Sequence, residues 1–338
     1  MEEKKICKKC ILPETRPDIW LNEEGVCSVC VVYENEKKFS KGEKGALETD
    51  FIKILEKNKG KGEYDCLVMC SGGKDSTSAL YYIKERYKLN PLAFTFDHGF
   101  ETSDALENVN KAVDKLGVDF LFFKSSFMKD MFAKILKTRS KAVICHLCSM
   151  WYMDLTYKIA AKYNVPIIIA GWTKGQSVKQ PVMSKCACKS DSPEYASMAK
   201  ATKDFIEEHV KNDPKYKGFP QNMEEVLKKA KKRHKSMVVS PHWFLPIDAD
   251  AYVETIKKEL DWKYPELSYP AKTTNCELNF ISVYNSKKHY GYTHYDLEMS
   301  RLIREGIISR EEALRDLEIN FDKDLLNVIA KKLGYKFE

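Results

Sequence analysis

No apolar run in this chain of 338 residues approaches the roughly 20 residues that a membrane-crossing helix needs, so a membrane role is not expected. The opening Met1-Glu2-Glu3-Lys4-Lys5 lacks the apolar stretch of a secretory signal, and a cytoplasmic protein is the expectation. A strong excess of one charge is also missing: 56 basic against 49 acidic side chains leave a formal +7, which permits a nucleic-acid partner without requiring one. There is no internal repeat and no recognised RNA-binding module, and the densest basic run, Lys228 to Arg233, reads as a solvated helix face. Of the eleven cysteines, six fall in three Cys-x-x-Cys pairs, which is not the pattern of a secreted disulfide framework. Metal is the expected use.

Cys7, Cys10, Cys27 and Cys30 form two knuckles with 16 residues between Cys10 and Cys27, close to the spacing of structural zinc ribbons. Residues 1–33 are therefore expected to be a ribbon holding Zn²⁺ in a closed tetrahedron, the alternative being reduced thiols without a ligand. A closed site has no open coordination position and holds a fold or a partner. Residues 34–63 read as a linker with a short helix at about 47–57.

From Asp65 the pattern changes to short apolar runs alternating with helical spacing. Strands are expected at 65–70, 92–96, 120–123 and 166–170, with helices at about 75–87, 102–117, 127–138 and 145–163. Such alternation implies right-handed crossovers and an α/β domain over 64–180, a parallel sheet with helices on both faces, which 237–250 can complete. Residues 181–338 are expected to be a mainly helical substrate or partner region. Ligands of parallel sheets sit at the carboxyl ends of the strands, where Ser71 to Ser76, Asp97 to Gly99 and the stretch from Gly171 all fall.

Between the first strand and its helix lies Ser71-Gly72-Gly73-Lys74-Asp75-Ser76. A strand-to-helix loop presents free N–H groups at the positive end of a helix dipole, Gly72 and Gly73 allow close approach, Ser71 and Ser76 offer hydroxyls, and Lys74 adds charge. The spacing is not that of a Walker loop. These residues resemble the Ser-Gly-Gly-x-Asp-Ser signature of the PP-loop ATP pyrophosphatases. The resemblance implies a Rossmann-like, HUP-type sheet that binds ATP with Mg²⁺, an α-phosphate open to attack, and commonly a homodimer. It implies catalytic roles for Lys74 and Asp75, and a place near the nucleotide for Asp97 and Gly171. An isolated Asp97 at a strand end also reads as a turn cap.

Cys145 and Cys148 stand at the start of a helix in this domain. With Cys276 they resemble the Cys-x-x-Cys plus distant cysteine of PP-loop tRNA thiolation enzymes, which bind a 4Fe–4S cluster, a chemistry that thiolates suit. Cys186 and Cys188 are rivals for the third position, and a second zinc site or buried thiols are the plainer readings. Cys66 and Cys70 flank a buried strand and read as core. His98, His146 and His242 read as loop or core histidines, each able to carry a proton. Gly171-Trp172-Thr173-Lys174-Gly175-Gln176 departs from the thiolation enzymes in lacking paired aspartates.

The frame of the chain resembles a second family. Cys7 to Cys10 followed by Pro13 and Arg16-Pro17, then Gly25 and Cys27, then Tyr290-Gly291-Tyr292, Arg301 and Gly306 to Ala313 look like N-acetyl sugar amidotransferases. That resemblance implies ammonia from a partner glutaminase and a nucleotide-sugar acceptor. The first implies sulfur from a donor and a tRNA or small-molecule acceptor. Both plans adenylate a poor leaving oxygen and displace AMP. A non-catalytic zinc-ribbon adaptor that binds nucleotide is the remaining alternative.

Overall fold

The computed structural model describes residues 5–37, 44–176, 193–233 and 236–338. Cys186 and Cys188 lie outside them. Helix α1 (Ser28–Lys37) leaves the N-terminal cysteine ribbon, so the boundary expected near residue 33 falls inside a helix, and α2 (Lys44–Asn58) follows. The α/β part then runs β1 (Cys66–Met69), α3 (Lys74–Glu85), β2 (Pro91–Asp97), α4 (Ser103–Leu116), β3 (Asp119–Lys124), α5 (Met128–Lys137), α6 (Ile144–Lys162) and β4 (Ile167–Ile169). Helices α7 (Ala196–His209) and α8 (Met223–Arg233) come before β5 (Met237–Val239). The chain ends in α9 (Ala249–Leu260), α10 (Leu278–Tyr290), α11 (His294–Arg304), α12 (Arg310–Asp316) and α13 (Lys323–Lys331).

The sheet has five parallel strands in the order β3-β2-β1-β4-β5. Alternation along the strands sends Leu67, Met69, Phe94 and Ile168 to the side of α5, α6 and α8, and Cys66, Val68, Ala93 and Ile169 to the side of α2, α3, α4 and α9. Each aliphatic or aromatic side chain so buried is worth about 1.5–3 kcal/mol. Cys66 and Cys70 belong to the second face, and burial raises both thiols, Cys70 to about 12. Helix α6 is apolar around most of its circumference, as a helix clamped between the sheet and α7, α8 and α10 must be.

Strand order reverses between β1 and β4. A parallel sheet opens a crevice at such a switch point, outside the strand ends. The loops after Met69 and after Ile169 meet there. In the basic run on α8, Lys228 and Lys229 reach Glu224 and Glu225, and Arg233 reaches Asp154. No described helix is long and apolar enough to cross a membrane.

Candidate functional site

The chain must turn from β1 into α3 within Cys70 to Gly73. Gly72 has φ +78, and a Cβ there would lie 2.0 Å from the Ala105 carbonyl oxygen, so only glycine fits. Its own carbonyl accepts from Trp262 Nε1 at 2.8 Å and Asn108 Nδ2 at 3.2 Å. Gly73 is the N-cap of α3 without a side-chain cap, which leaves first-turn N–H groups for an anion. Ser71 and Ser76 hydroxyls are 3.0 Å apart, and Asn275 Nδ2 donates to Ser71 Oγ at 3.0 Å. At the end of β4 the backbone of Gly171 approaches so closely that a Cβ would lie 2.6 Å from the Ser76 nitrogen.

Lys74 Nζ lies 3.0 Å from both carboxylate oxygens of Asp75, and the Tyr252 hydroxyl donates to Oδ1. His242 Nε2 is 2.7 Å from the Asp75 carbonyl oxygen. Burial pushes the Asp75 carboxyl up, but Lys74, His242 and Tyr252 together outweigh it, and the group stays below its ordinary value. Burial lowers the His242 imidazole despite the opposing pull of Asp75.

Cys145 and Cys148 are one turn apart on α6, on the same side of the helix. Cys276 comes from the segment between α9 and α10, which lies against the loop after β2. Glu101 and Cys276 form a β-bridge, Thr102 N–H donates to Asn275 O at 2.8 Å, and Glu277 N–H to Phe100 O at 2.9 Å. That pairing sets Cys276 Sγ 3.7 Å from His98 Nε2, which lies 3.1 Å from Glu101 Oε1. Cys145 Sγ is 3.2 Å from Ser282 Oγ. Burial pushes the Cys145 thiol up to about 12 and raises Cys276, against the opposing pull of Ser282 and His98 respectively. Thiols kept protonated by burial become ligands when a metal displaces the proton.

A cavity of about 840 Å³ carries Ser71, Gly73, Asp75, Ser76 and Gly171 on one side and Cys145 on another. Asn275, which precedes Cys276, also lines it. Among the described residues Gly72, Lys74, Cys148 and Cys276 do not line the cavity. Asp97 does not either: its Oδ1 accepts the Gly99 N–H at 2.5 Å, and Lys124 Nζ lies 3.7 Å from Oδ2, so it caps the turn after β2. Asn108, Trp262, Tyr252, Glu101 and Asn275 had no signal in the sequence beyond Asn275 standing next to a cysteine, and His242 stood out only as one of three histidines able to carry a proton.

Away from this cavity, the Sγ atoms of Cys7, Cys10, Cys27 and Cys30 all lie within 4.8 Å of one another and are buried. Cys10 and Cys27 are 3.6 Å apart and Cys7 and Cys30 4.0 Å. Four sulfurs at about 2.3 Å from a tetrahedral ion sit about 3.8 Å apart, so the set fits one metal ion. N–H groups of Lys9, Cys10 and Cys27 point at Cys7 Sγ, at 3.4, 3.5 and 3.2 Å. The ribbon is seated on the C-terminal helices, with Arg310 Nε donating to Cys10 O at 2.9 Å and Ile11 N–H to Ser300 Oγ at 3.3 Å.

A family model described as queuosine biosynthesis protein QueC matches residues 65–170. An uncharacterized protein of Methanocaldococcus jannaschii is 23% identical over 256 residues, covering 76% of this chain and 73% of that one. Among solved structures, the U34-tRNA thiolase NcsA of Methanococcus maripaludis with its 4Fe-4S cluster is similar at TM-score 0.38 and 17% identity, over 95% of this chain and 89% of the other. NMN synthetase of Francisella tularensis is similar at TM-score 0.41 and 12% identity, over 88% and 99%.

Proposed function

We infer the reaction from the premise that residues 65–170 are the core of a PP-loop domain of the adenine nucleotide alpha-hydrolase-like superfamily, the ATP pyrophosphatases. On that footing the chain adenylates a carbonyl or amide oxygen of its acceptor and replaces that oxygen with sulfur. The oxygen attacks the α-phosphorus, the bond to the β-phosphate breaks, and pyrophosphate leaves. Sulfur then attacks the activated carbon, and AMP departs with the former carbonyl oxygen.

The uncapped start of α3, with Ser71, Gly72, Gly73 and Ser76, holds the β- and γ-phosphates. Lys74 exchanges Asp75 for phosphate, and Asp75 is left to orient Mg²⁺. Gly171 keeps the floor of the site low enough for the nucleotide to sit against α3. Asp97 shapes the adjoining loop.

One observation carries the choice of sulfur: the cavity that carries Ser71, Gly73 and Ser76 also carries Cys145, and Cys276 Sγ, in the segment whose Asn275 lines the same cavity, stands 3.7 Å from His98 Nε2. Three soft donors from two separate segments suit a 4Fe–4S cluster, and the buried, unpartnered Glu101 Oε2 and His98 Nδ1 beside them are consistent with a bound group. Such a cluster, when bound, presents an iron able to carry the incoming sulfur. The ribbon metal is Zn²⁺ with a structural role. The acceptor is a tRNA or a small molecule, and a sulfur donor is the partner.

A second reading, amidation of an N-acetyl sugar with ammonia from a glutaminase, is favoured by one observation. Residues of that family's frame from both ends of the chain pack together, the ribbon cysteines with Tyr292 and Cys10 O with Arg310. Anaerobic purification separates the readings. Brown protein containing iron and sulfide supports sulfur insertion, and Cys145→Ala should then abolish thiolation while ATP binding persists. Colourless protein holding zinc alone, with ammonia-dependent AMP formation, sinks it in favour of amidation.

A further inference from the structure

Asp75, Glu224 and Glu298 are the carboxylates in the described wall of the cavity. Asp75 is taken up by Lys74 and Tyr252, and the exposed Glu224 by Lys228 at 2.8 Å. Glu298 is 6% exposed, and neither the phosphate loop nor the three cysteines beside it make use of its carboxylate. A carboxylate kept this deep in a ligand cavity marks a functional position.

The fold holds it there from two sides. A capping box of Thr293 and Asp296 fixes the start of α11, whose inner face carries Tyr295, Glu298 and Leu302 at successive turns. Gly175, beyond β4, closes on this face: a Cβ there would lie 2.8 Å from Glu298 Cγ and 3.0 Å from Leu302 Cγ. Tyr195 and Tyr295 line the cavity too, and burial raises both phenols well above their ordinary value, with Glu298 and Cys145 each adding to the rise. The carboxylate and Cys145 thus flank the same two rings, at the end of the cavity where the acceptor carbon meets the incoming atom. Arg301, three residues on, balances the charges of Glu298 and Glu194 and does not itself line the cavity, so the carboxylate is what a ligand meets.

We propose that Glu298 selects the acceptor: its carboxylate accepts the N–H that neighbours the reacting carbonyl, so the acceptor is a secondary amide or lactam rather than an ester, ketone or tertiary amide. The inference rests on the adenylation step of the reading above and not on which atom comes in. Such a charge-assisted bond draws on the N–H and shifts electron density to the carbonyl oxygen, which becomes the better nucleophile toward the α-phosphorus. It also rejects an analogue without the N–H, because the buried carboxylate then meets carbon where it needs a donor. The uracil ring of a nucleic acid and the acetamido group of a sugar both carry this N–H.

Paired probes test the assignment and separate the two sources. The full chain, with Mg²⁺ and a non-hydrolysable ATP analogue filling the phosphate loop, is titrated by ligand-observed NMR with uridine against 3-methyluridine. N-acetylglucosamine is set against its N-methylated acetamide in the same way. In one of the two pairs the parent should bind the N–H member about tenfold more tightly, and that pair names the source. Glu298→Ala should bind both members of that pair equally, and Glu298→Gln, which keeps the shape and loses the charge, should show most of the same loss. A parent that binds neither N–H probe, or does not distinguish it from its methylated partner, overturns the assignment, as does a preference that survives in Glu298→Ala. In each of these cases retained binding of the ATP analogue leaves the adenylation reading standing. A parent that does not bind the analogue overturns both. Should Glu298→Ala fail to fold, as circular dichroism will tell, the parent and Glu298→Gln decide.

Discussion

Asn275 Nδ2 donates to the Ser71 hydroxyl across 3.0 Å, and the next residue, Cys276, stands 3.7 Å from His98. The phosphate loop and the cysteine centre are thus joined by two consecutive residues of one segment.

Asn275→Ala should therefore weaken ATP binding. Loss of one hydrogen bond of about 0.5–1.5 kcal/mol corresponds to roughly two- to tenfold in affinity. Titration calorimetry with a non-hydrolysable ATP analogue reads this directly. An unchanged affinity would remove Asn275 from the site.

Gly72→Ala tests the loop itself. The new Cβ meets backbone, at 2.0 Å from the Ala105 oxygen, and the residue must also hold φ +78. Strain of this kind costs at least about 1–3 kcal/mol. We expect a lower denaturant midpoint and no measurable pyrophosphate release. A variant with parental turnover would show that the loop adopts a different conformation during catalysis.

Much of this site is legible in the sequence, for a reason that also marks the limit. The phosphate loop and the ribbon are each written within short windows, Gly72-Gly73 between a strand and a helix and paired cysteines at fixed spacing. The Cys145–Cys148 pair shares that property. What holds these groups in place is written elsewhere: Trp262 reaches Gly72 across 190 positions and Tyr252 reaches Asp75 across 177. No periodicity foretells which of many tyrosines will meet a buried carboxylate. Asp97 shows the opposite case, since a strand-end aspartate next to His98-Gly99 has two local readings and the backbone takes the turn cap. The short strand β5 completes the sheet beside β4, within the 237–250 stretch that the sequence allowed for this.

Tyr252→Phe should destabilise the protein in a pH-dependent way. The folded Asp75 carboxyl lies below its ordinary value, so its contribution is fully present above the unfolded value and is lost as pH falls through the folded one. Removing the tyrosine donor raises the folded value. The gap between parent and variant should be about 1–3 kcal/mol near neutral pH and should close in acid, where both carboxyls are protonated. A gap that stays constant with pH would mean that the hydroxyl does not act through Asp75.

Metal removal tests the ribbon separately. Each chain should hold one metal ion at Cys7, Cys10, Cys27 and Cys30, and Cys10→Ser should lose it. The freed thiols are buried against Tyr292 and Leu297, so the thermal midpoint should fall and protease cleavage should begin within the first 40 or so residues. Elemental analysis and limited proteolysis check both points. Parental stability after metal loss would make the ribbon an accessory.

The seat of the ribbon also dictates an order of assembly. Arg310, whose guanidinium closes on the carbonyl of Cys10, lies 300 positions further along the chain. At about 5–20 residues per second a ribosome needs roughly 15–60 s to cover that interval. Val143, Tyr195 and Met198 begin a seat for the ribbon that α11 and α12 complete. The ribbon's last contacts thus form long after its four cysteines have been made.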